Sequence, residues 1–141
     1  DTVVDSAPKG AIELFHGYTY SGIPAAVAAA LAVQDILEKE NIFNKVKNIS
    51  PYFQEALHSL RDLDCIENIR GYGLLGGVDI KKKDKPGNAG FQVYRACYEN
   101  GVNFKATGDA LVLAPPFISE KKHIDEIFFK IRKGINQYMR Q

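Results

Sequence analysis

The spacing of apolar and polar residues changes several times along the 141-residue chain, and each change marks a predicted element. Residues 24–39 begin with the nearly all-apolar run PAAVAAALAV and continue as the amphipathic QDILEK. This pattern predicts a helix whose first half is buried on all sides and whose second half reaches solvent. Pro24 suits the first helical turn, because an N–H group there would have no helical partner.

Two further helices are predicted from apolar residues at helical spacing. In the helix over residues 42–61, one face carries Phe53, Leu57 and Leu60. Pro51 either kinks this helix or restarts it with Ser50 as the N-cap. The last helix covers residues 119–140, with Ser119 as its N-cap. Its buried face is formed by Ile124, Ile127, Phe128, Ile131 and Ile135.

Between these helices the pattern predicts four strands and one more helix. The strand segments are 65–71, 73–80, 102–106 and 110–114. The last two flank the turn residues TGD as a hairpin. The additional helix covers residues 88–100 and ends at Gly101 in the C-cap role. This order of elements predicts an α+β fold, a two-layer sandwich in which a small, mostly antiparallel sheet is covered on one face by helices.

Composition and charge narrow the classes of function. The chain is 45% hydrophobic and 25% charged, which is typical of globular proteins. Its net charge of +1 supports binding neither to nucleic acid nor to a membrane surface, and residues 23–33, its longest apolar run, are too short to span a bilayer. Neither the two cysteines nor the three histidines have the spacing of metal ligands, so we expect no metal site and reduced, buried thiols. No targeting signal is visible, and we expect a cytoplasmic protein.

Two motifs look like phosphate-binding sequences but are better explained as turns. GYGLLG, residues 71–76, matches GxGxxG, yet a strand is predicted after it where a dinucleotide fingerprint needs a helix. We expect its glycines to allow a tight turn and close packing of the strands. The lysine-rich residues 81–85 precede a Pro-Gly pair and are expected to form a solvated turn.

The loop HGYTYSGIPAA, residues 16–26, has the composition of an anion site. The first two helical turns after it carry no Asp or Glu, although acids normally gather at a helix N-terminus. Thr19 and Ser21 offer hydroxyl groups, and Gly22 lets a ligand approach the backbone. This favours a bound anion such as a phosphate. The alternative is that Ser21 only caps the helix and the tyrosines fill a core.

Four blocks in order, FHGYTYSGIP, NIRGYGLLGGVDI, GVNFKATGDALVLAPPFI and IDEIFFKIRKGI, resemble the class III pyridoxal-phosphate (PLP) aminotransferases. The resemblance is to the omega-amino acid:pyruvate branch in particular, although Ile23 stands where that family usually has histidine. The resemblance implies the C-terminal small domain of an aspartate-aminotransferase-like enzyme. Residues 1–23 would lead out of a large domain, and residues 24–141 would form the small domain. The implied reaction moves an amino group from an amine or omega-amino acid to a keto acid such as pyruvate.

The resemblance also implies a role for the loop. In that family its threonine holds part of the PLP phosphate in the neighbouring subunit of a homodimer, and the matching residue here is Thr19. Loop 17–22 would therefore reach the neighbouring subunit's cofactor, with Tyr18, Ser21 and Gly22 also forming this phosphate clamp.

Lys105 stands where related enzymes often have an arginine that binds the substrate carboxylate. A lysine offers one point charge where an arginine offers a two-pronged fork. Lys105 is therefore either a looser carboxylate-binding residue or an exposed residue at a strand end.

The family's Schiff-base lysine and the aspartate that pairs with the pyridine nitrogen belong to the large domain. We expect both to precede residue 1, so no lysine of this chain is assigned a catalytic role. The chain alone is expected to be inactive and to lack PLP. Two alternatives stay open: a non-catalytic domain that binds a small molecule, and a dimerisation module suggested by the apolar residues 24–33.

Overall fold

The computed structural model describes residues 5–10, 17, 19–82 and 85–140. The chain divides into two compact units, Asp1–Leu37 and Glu38–Gln141. In chain order the elements are α1 (Pro24–Lys39), α2 (Ile42–His58), a 3-10 turn (Ser59–Asp62), β1 (Ile66–Tyr72), β2 (Leu75–Ile80), α3 (Asn88–Glu99), β3 (Lys105–Thr107), β4 (Ala110–Leu113) and α4 (Lys121–Met139). The predicted order of helices and strands is confirmed.

The four strands form one sheet in the order β1-β2-β4-β3, and each neighbouring pair is antiparallel. A two-residue turn joins β1 to β2, with Gly73 at φ 59°, a conformation that glycine adopts without strain. Residues alternate along β2 and β4 between a buried face and a more exposed face, as expected for a sheet covered on one side. The α+β class with a small antiparallel sheet is therefore confirmed.

The covered face of the sheet meets the helices in a single apolar core. Ile69, Val78 and Leu111 lie opposite one another in neighbouring strands and are all buried. Helices α2 and α3 contact the strands, and α4 packs against both of these helices. Phe53 of α2 and Phe128 of α4 meet with their ring centroids 5.6 Å apart. This core fixes the sheet whose other face stays exposed.

The glycines of GYGLLG serve packing, as the sequence predicted. The motif forms the end of β1, the turn and the start of β2, so no helix follows it. A Cβ atom on Gly71 would lie 2.8 Å from Cδ2 of Leu57, and one on Gly76 would lie at the same distance from that atom. Only glycine at these two positions lets the β1–β2 hairpin lie this close to α2.

The backbone of α2 settles one of the two alternatives predicted at Pro51. The helix continues through Pro51 without a restart, and its N-cap is Asn41. Of these two alternatives, the restart with Ser50 as the N-cap is therefore wrong. Ser50 instead donates its hydroxyl hydrogen to the carbonyl oxygen of Val46 at 2.6 Å, a bond that serine forms inside a helix.

The predicted cap of the last helix is also wrong. Its N-cap is Glu120, whose backbone N–H donates to Nδ1 of His123 at 3.0 Å. Ser119 is engaged in the preceding turn, because its N–H donates to the carbonyl oxygen of Pro116. The predicted buried face is confirmed except at Ile127, which is half-buried.

Helix α1 matches its predicted bounds but not its predicted environment. None of its residues is buried, and Leu31 remains 60% exposed. The expectation of burial on all sides is therefore wrong for this chain. An apolar run indicates a surface suited to burial, but it does not say which surface covers it.

Candidate functional site

The loop before α1 exposes several polar groups at the start of the helix. Thr19, Ser21 and Gly22 are all exposed, whereas Tyr18 lies outside the described residues. Gly22 has φ 75°, and among the described residues nothing lies within 4 Å of a Cβ atom placed there, so its backbone is open to a ligand on that part of the structure. The loop thus presents two hydroxyl groups and an accessible backbone in one short segment.

The electrostatics of this helix start favour a negative charge. The carbonyl oxygen of Ile23 accepts the first helical bond, from the N–H of Val27 at 3.0 Å. The N–H groups of Ala25 and Ala26 therefore come before Val27, the first residue whose N–H donates within the helix, and they point out of its N-terminal end. The first turn carries no acidic residue to offset the positive end of the helix dipole. Chemically, this segment is suited to hold an anion.

Lys105 is the first residue of the edge strand β3 and lies opposite Val112 of β4. It is exposed, and among the residues that the structure describes its ammonium group has no ion pair or hydrogen bond. Its strand neighbour Ala106 lies opposite the fully buried Leu111, so Lys105 belongs to the uncovered face of the sheet. Thr19 and Lys105 belong to the two different units, and each is described within its own.

The β3–β4 turn contains a functional group that the sequence pattern did not reveal. One carboxylate oxygen of Asp109 accepts from the N–H of Gly87 at 2.8 Å, and the other accepts from the N–H of Gly90 at 3.1 Å. These amides lower the pKa of Asp109 below its usual value. The only sequence signal is that Gly87, the N-cap of α3, has no side chain with which to cap it.

Other types of site find no support in the described parts of the chain. Within residues 5–10, 17, 19–82 and 85–140, no group of three or more His, Cys, Asp or Glu side chains is arranged to hold a metal ion. Over the same ranges, no helix has the length and apolar character needed to cross a membrane. Cys65 and Cys97 are both buried thiols that form no disulfide, as predicted.

A family model described as "Aminotransferase class-III" matches residues 2–135. The omega-aminotransferase of Caulobacter vibrioides is 36% identical over 97% of this chain and 31% of its own length. The omega-amino acid–pyruvate aminotransferase of Pseudomonas putida is 34% identical over 94% of this chain and 30% of its own length. The chain therefore spans about a third of the length of these relatives.

A solved structure shows the same fold. The omega transaminase from Pseudomonas jessenii, in complex with PMP, superposes with a TM-score of 0.82 at 25% identity. The superposition covers 90% of this chain and 30% of that structure. The similarity of the backbone therefore extends over nearly the whole chain.

Proposed function

The chain belongs to the class III aminotransferases, and on this premise we propose that it is the C-terminal part of a PLP-dependent transaminase. The proposed reaction moves an amino group from an amine or omega-amino acid to a keto acid such as pyruvate. The observation that carries this proposal is the family match over residues 2–135, together with relatives named as omega-aminotransferases.

The proposal is tested on the natural polypeptide at full length. Incubated with PLP, an omega-amino acid and pyruvate, it should form alanine, whereas residues 1–141 alone should form none. Omitting PLP and omitting the amine donor are the matched controls. A full-length polypeptide that forms no alanine with any of a panel of amines and omega-amino acids would overturn the proposal, as would equal activity of the isolated chain.

The residues at the start of α1 fit the phosphate group of PLP. Thr19 and Ser21 offer exposed hydroxyl donors, Gly22 leaves the backbone open, and no acid in the first turn repels an anion. These residues, with Tyr18 by the family resemblance, would hold the phosphate. When bound, PLP supplies the electron sink for the reaction, and the role of this loop is to bind and orient it.

The phosphate clamp is tested at Thr19 in the full-length polypeptide. Thr19→Val keeps the shape of the side chain but removes the hydroxyl group, and Thr19→Ser keeps the hydroxyl group. A hydrogen bond to a charged group contributes about 1.5–3 kcal/mol, so the valine variant should bind PLP roughly 10- to 100-fold more weakly in an absorbance titration. The serine variant should stay close to wild type. Equal PLP affinity of all three proteins would refute the clamp.

Lys105 is the proposed binding residue for the substrate carboxylate. Its support is an exposed ammonium group with no ion pair among the described residues, on the open face of the sheet. A single ammonium group can attract a carboxylate and orient it, but it does not impose the two-bond geometry of an arginine. The position thus suits substrates with a carboxylate without excluding amines that lack one.

We further propose that the protein acts as a homodimer in which loop 17–22 reaches the neighbouring subunit's cofactor. The exposed apolar residues of α1 support an interface there, among them Val27, Leu31 and Ile36. The same observation favours a second candidate, a dimerisation module without catalysis. Sedimentation with and without PLP, combined with the alanine assay, separates the two: the module would dimerise but form no alanine at full length.

A further inference from the structure

The strand that carries Lys105 has few backbone bonds to hold it. β3 is three residues long and lies at the edge of the described sheet, where its one neighbour is β4. A short edge strand of this kind frays easily unless another element supports it. The position of Lys105 therefore depends on contacts outside the β-ladder.

Asp109, in the turn between β3 and β4, supplies one such support. Its carboxylate accepts the N–H groups of Gly87 and Gly90 at the start of α3, at 2.8 and 3.1 Å. Its backbone carbonyl oxygen accepts the N–H of Ile80 at the end of β2, at 2.9 Å. One residue thus joins the hairpin turn to a helix and to a neighbouring strand.

Glycines make this junction possible. Gly87 is the N-cap of α3 with φ 83°, and it brings no side chain that could satisfy the first amides of the helix. A Cβ atom on Gly90 would lie 2.3 Å from the carbonyl oxygen of Gly108 and 2.8 Å from Cα of Asp109. The turn and the helix therefore touch at backbone distance, and Asp109 acts as the missing cap.

Helix α3 also supports the other end of β3. The rings of Tyr94 in α3 and Phe104 meet edge to face with their centroids 5.8 Å apart. The hydroxyl group of Tyr94 donates to Oδ1 of Asn103 at 3.3 Å. Lys105 thus lies between two contacts with the same helix, the Tyr94 contact before it and the Asp109 contact after it.

We propose that Asp109 is a positioning residue, which fixes the β3–β4 hairpin to α3 and thereby holds the Lys105 ammonium group where the substrate carboxylate binds. This inference rests on the proposed function, because it assumes that Lys105 binds that carboxylate. It goes further by assigning the selectivity for carboxylate substrates to two residues: Lys105, which contacts the substrate, and Asp109, which orients Lys105.

The test compares two amine donors in the full-length polypeptide, β-alanine with a carboxylate and benzylamine without one. Single-turnover measurements of the amine half-reaction leave the keto acid out, so only the donor's carboxylate is probed. Lys105→Met should weaken apparent binding of β-alanine roughly 10- to 100-fold, because it removes a hydrogen bond between charged groups. Asp109→Asn should weaken it on the order of 10-fold by misplacing the lysine. Neither variant should change the result with benzylamine.

Two further measurements distinguish the positioning of Lys105 from a general loss of structure. Asp109→Asn should add nothing in the Lys105→Met background, because it acts through that lysine. In the 141-residue chain, hydrogen exchange at the amides of Gly87 and Gly90 should speed up in Asp109→Asn and stay unchanged in Lys105→Met. Asp62→Asn, the same chemical change in the 3-10 turn where Asp62 pairs with Arg132, is the matched control and should affect neither donor.

The outcomes are distinguishable. If Lys105→Met leaves β-alanine binding unchanged, the proposed role of Lys105 fails, and the positioning role fails with it. If Lys105→Met acts as expected but Asp109→Asn weakens both donors equally, or adds its full effect to Lys105→Met, the lysine keeps its role and the inference about Asp109 is overturned. Unchanged amide exchange in Asp109→Asn would also contradict the inference.

Discussion

Replacing Gly76 with alanine places a methyl group against the buried side chain of Leu57. The added Cβ atom would lie 2.8 and 2.9 Å from the two Cδ atoms of Leu57, well inside van der Waals contact. Leu57 is fully buried between α2 and the sheet, so its side chain has little room to move away. We therefore expect Gly76→Ala to destabilise the chain through this one neighbour.

The magnitudes follow from the size of each change. Overpacking by one methyl group should cost about 2 kcal/mol for Gly76→Ala. Leu57→Ala leaves a cavity at a fully buried site and should cost about 3 kcal/mol. Additivity would give about 5 kcal/mol for the double variant. Because Leu57→Ala removes the two atoms that clash, we expect the double variant to lose only about 3 kcal/mol, a coupling of about 2 kcal/mol.

Urea unfolding of the four proteins, followed by circular dichroism, measures these free energies. Ile135→Ala is the matched control, because Ile135 is as fully buried as Leu57 but lies in α4. The three atoms nearest to the Cβ added at Gly76 all belong to Leu57. Ile135→Ala should add to Gly76→Ala without coupling. If Leu57→Ala and Gly76→Ala are additive to within about 0.5 kcal/mol, the close packing of the hairpin on Leu57 is refuted.

Two predictions concern ionisable groups. Burial raises the pKa of the Cys97 thiol to about 12, so iodoacetamide at pH 8 should label it on the order of 1000-fold more slowly in the native chain than in urea; equal rates would contradict this. The amides of Gly87 and Gly90 lower the folded-state pKa of Asp109, so its stabilising effect is complete above the unfolded value of about 3.9 and is lost below it. The difference in urea midpoint between wild type and Asp109→Asn should therefore stay constant from pH 7 to 5 and shrink below about pH 4. A difference that grows on acidification would refute the stabilising role of the ionised Asp109 carboxylate.

Local patterns in the sequence were enough to predict most of the fold. Helical spacing identified Phe53, Leu57 and Leu60 as one buried face because that face follows directly from the helix repeat. The hairpin turn with Gly108 at φ 58° was predicted for a similar reason, since few other residues adopt this backbone conformation. Both features depend on residues close together in the sequence.

The features that the sequence did not predict depend on distant contacts. The carboxylate of Asp109 bonds to amides 19 and 22 residues earlier in the chain, and no local pattern marks such a pair. Glu120 caps α4 in place of Ser119 because the preceding turn engages the serine backbone. The exposure of α1 has the same origin, because an apolar sequence does not specify the surface that it packs against.

The loop that carries Thr19 is proposed to serve the cofactor of the neighbouring subunit, and hybrid dimers test this directly. One full-length variant carries Thr19→Val, and the other lacks the Schiff-base lysine that the family resemblance places in the large domain. At a PLP concentration that loads the wild type but not the valine variant, each variant forms little or no alanine by itself. The two variants are mixed in equal amounts, unfolded and refolded together, so that half of the dimers are hybrids with one intact site. Alanine formation should therefore return to about a quarter of the wild-type rate. If the loop serves its own subunit, the mixture stays as inactive as its components, and the proposed exchange between subunits is contradicted.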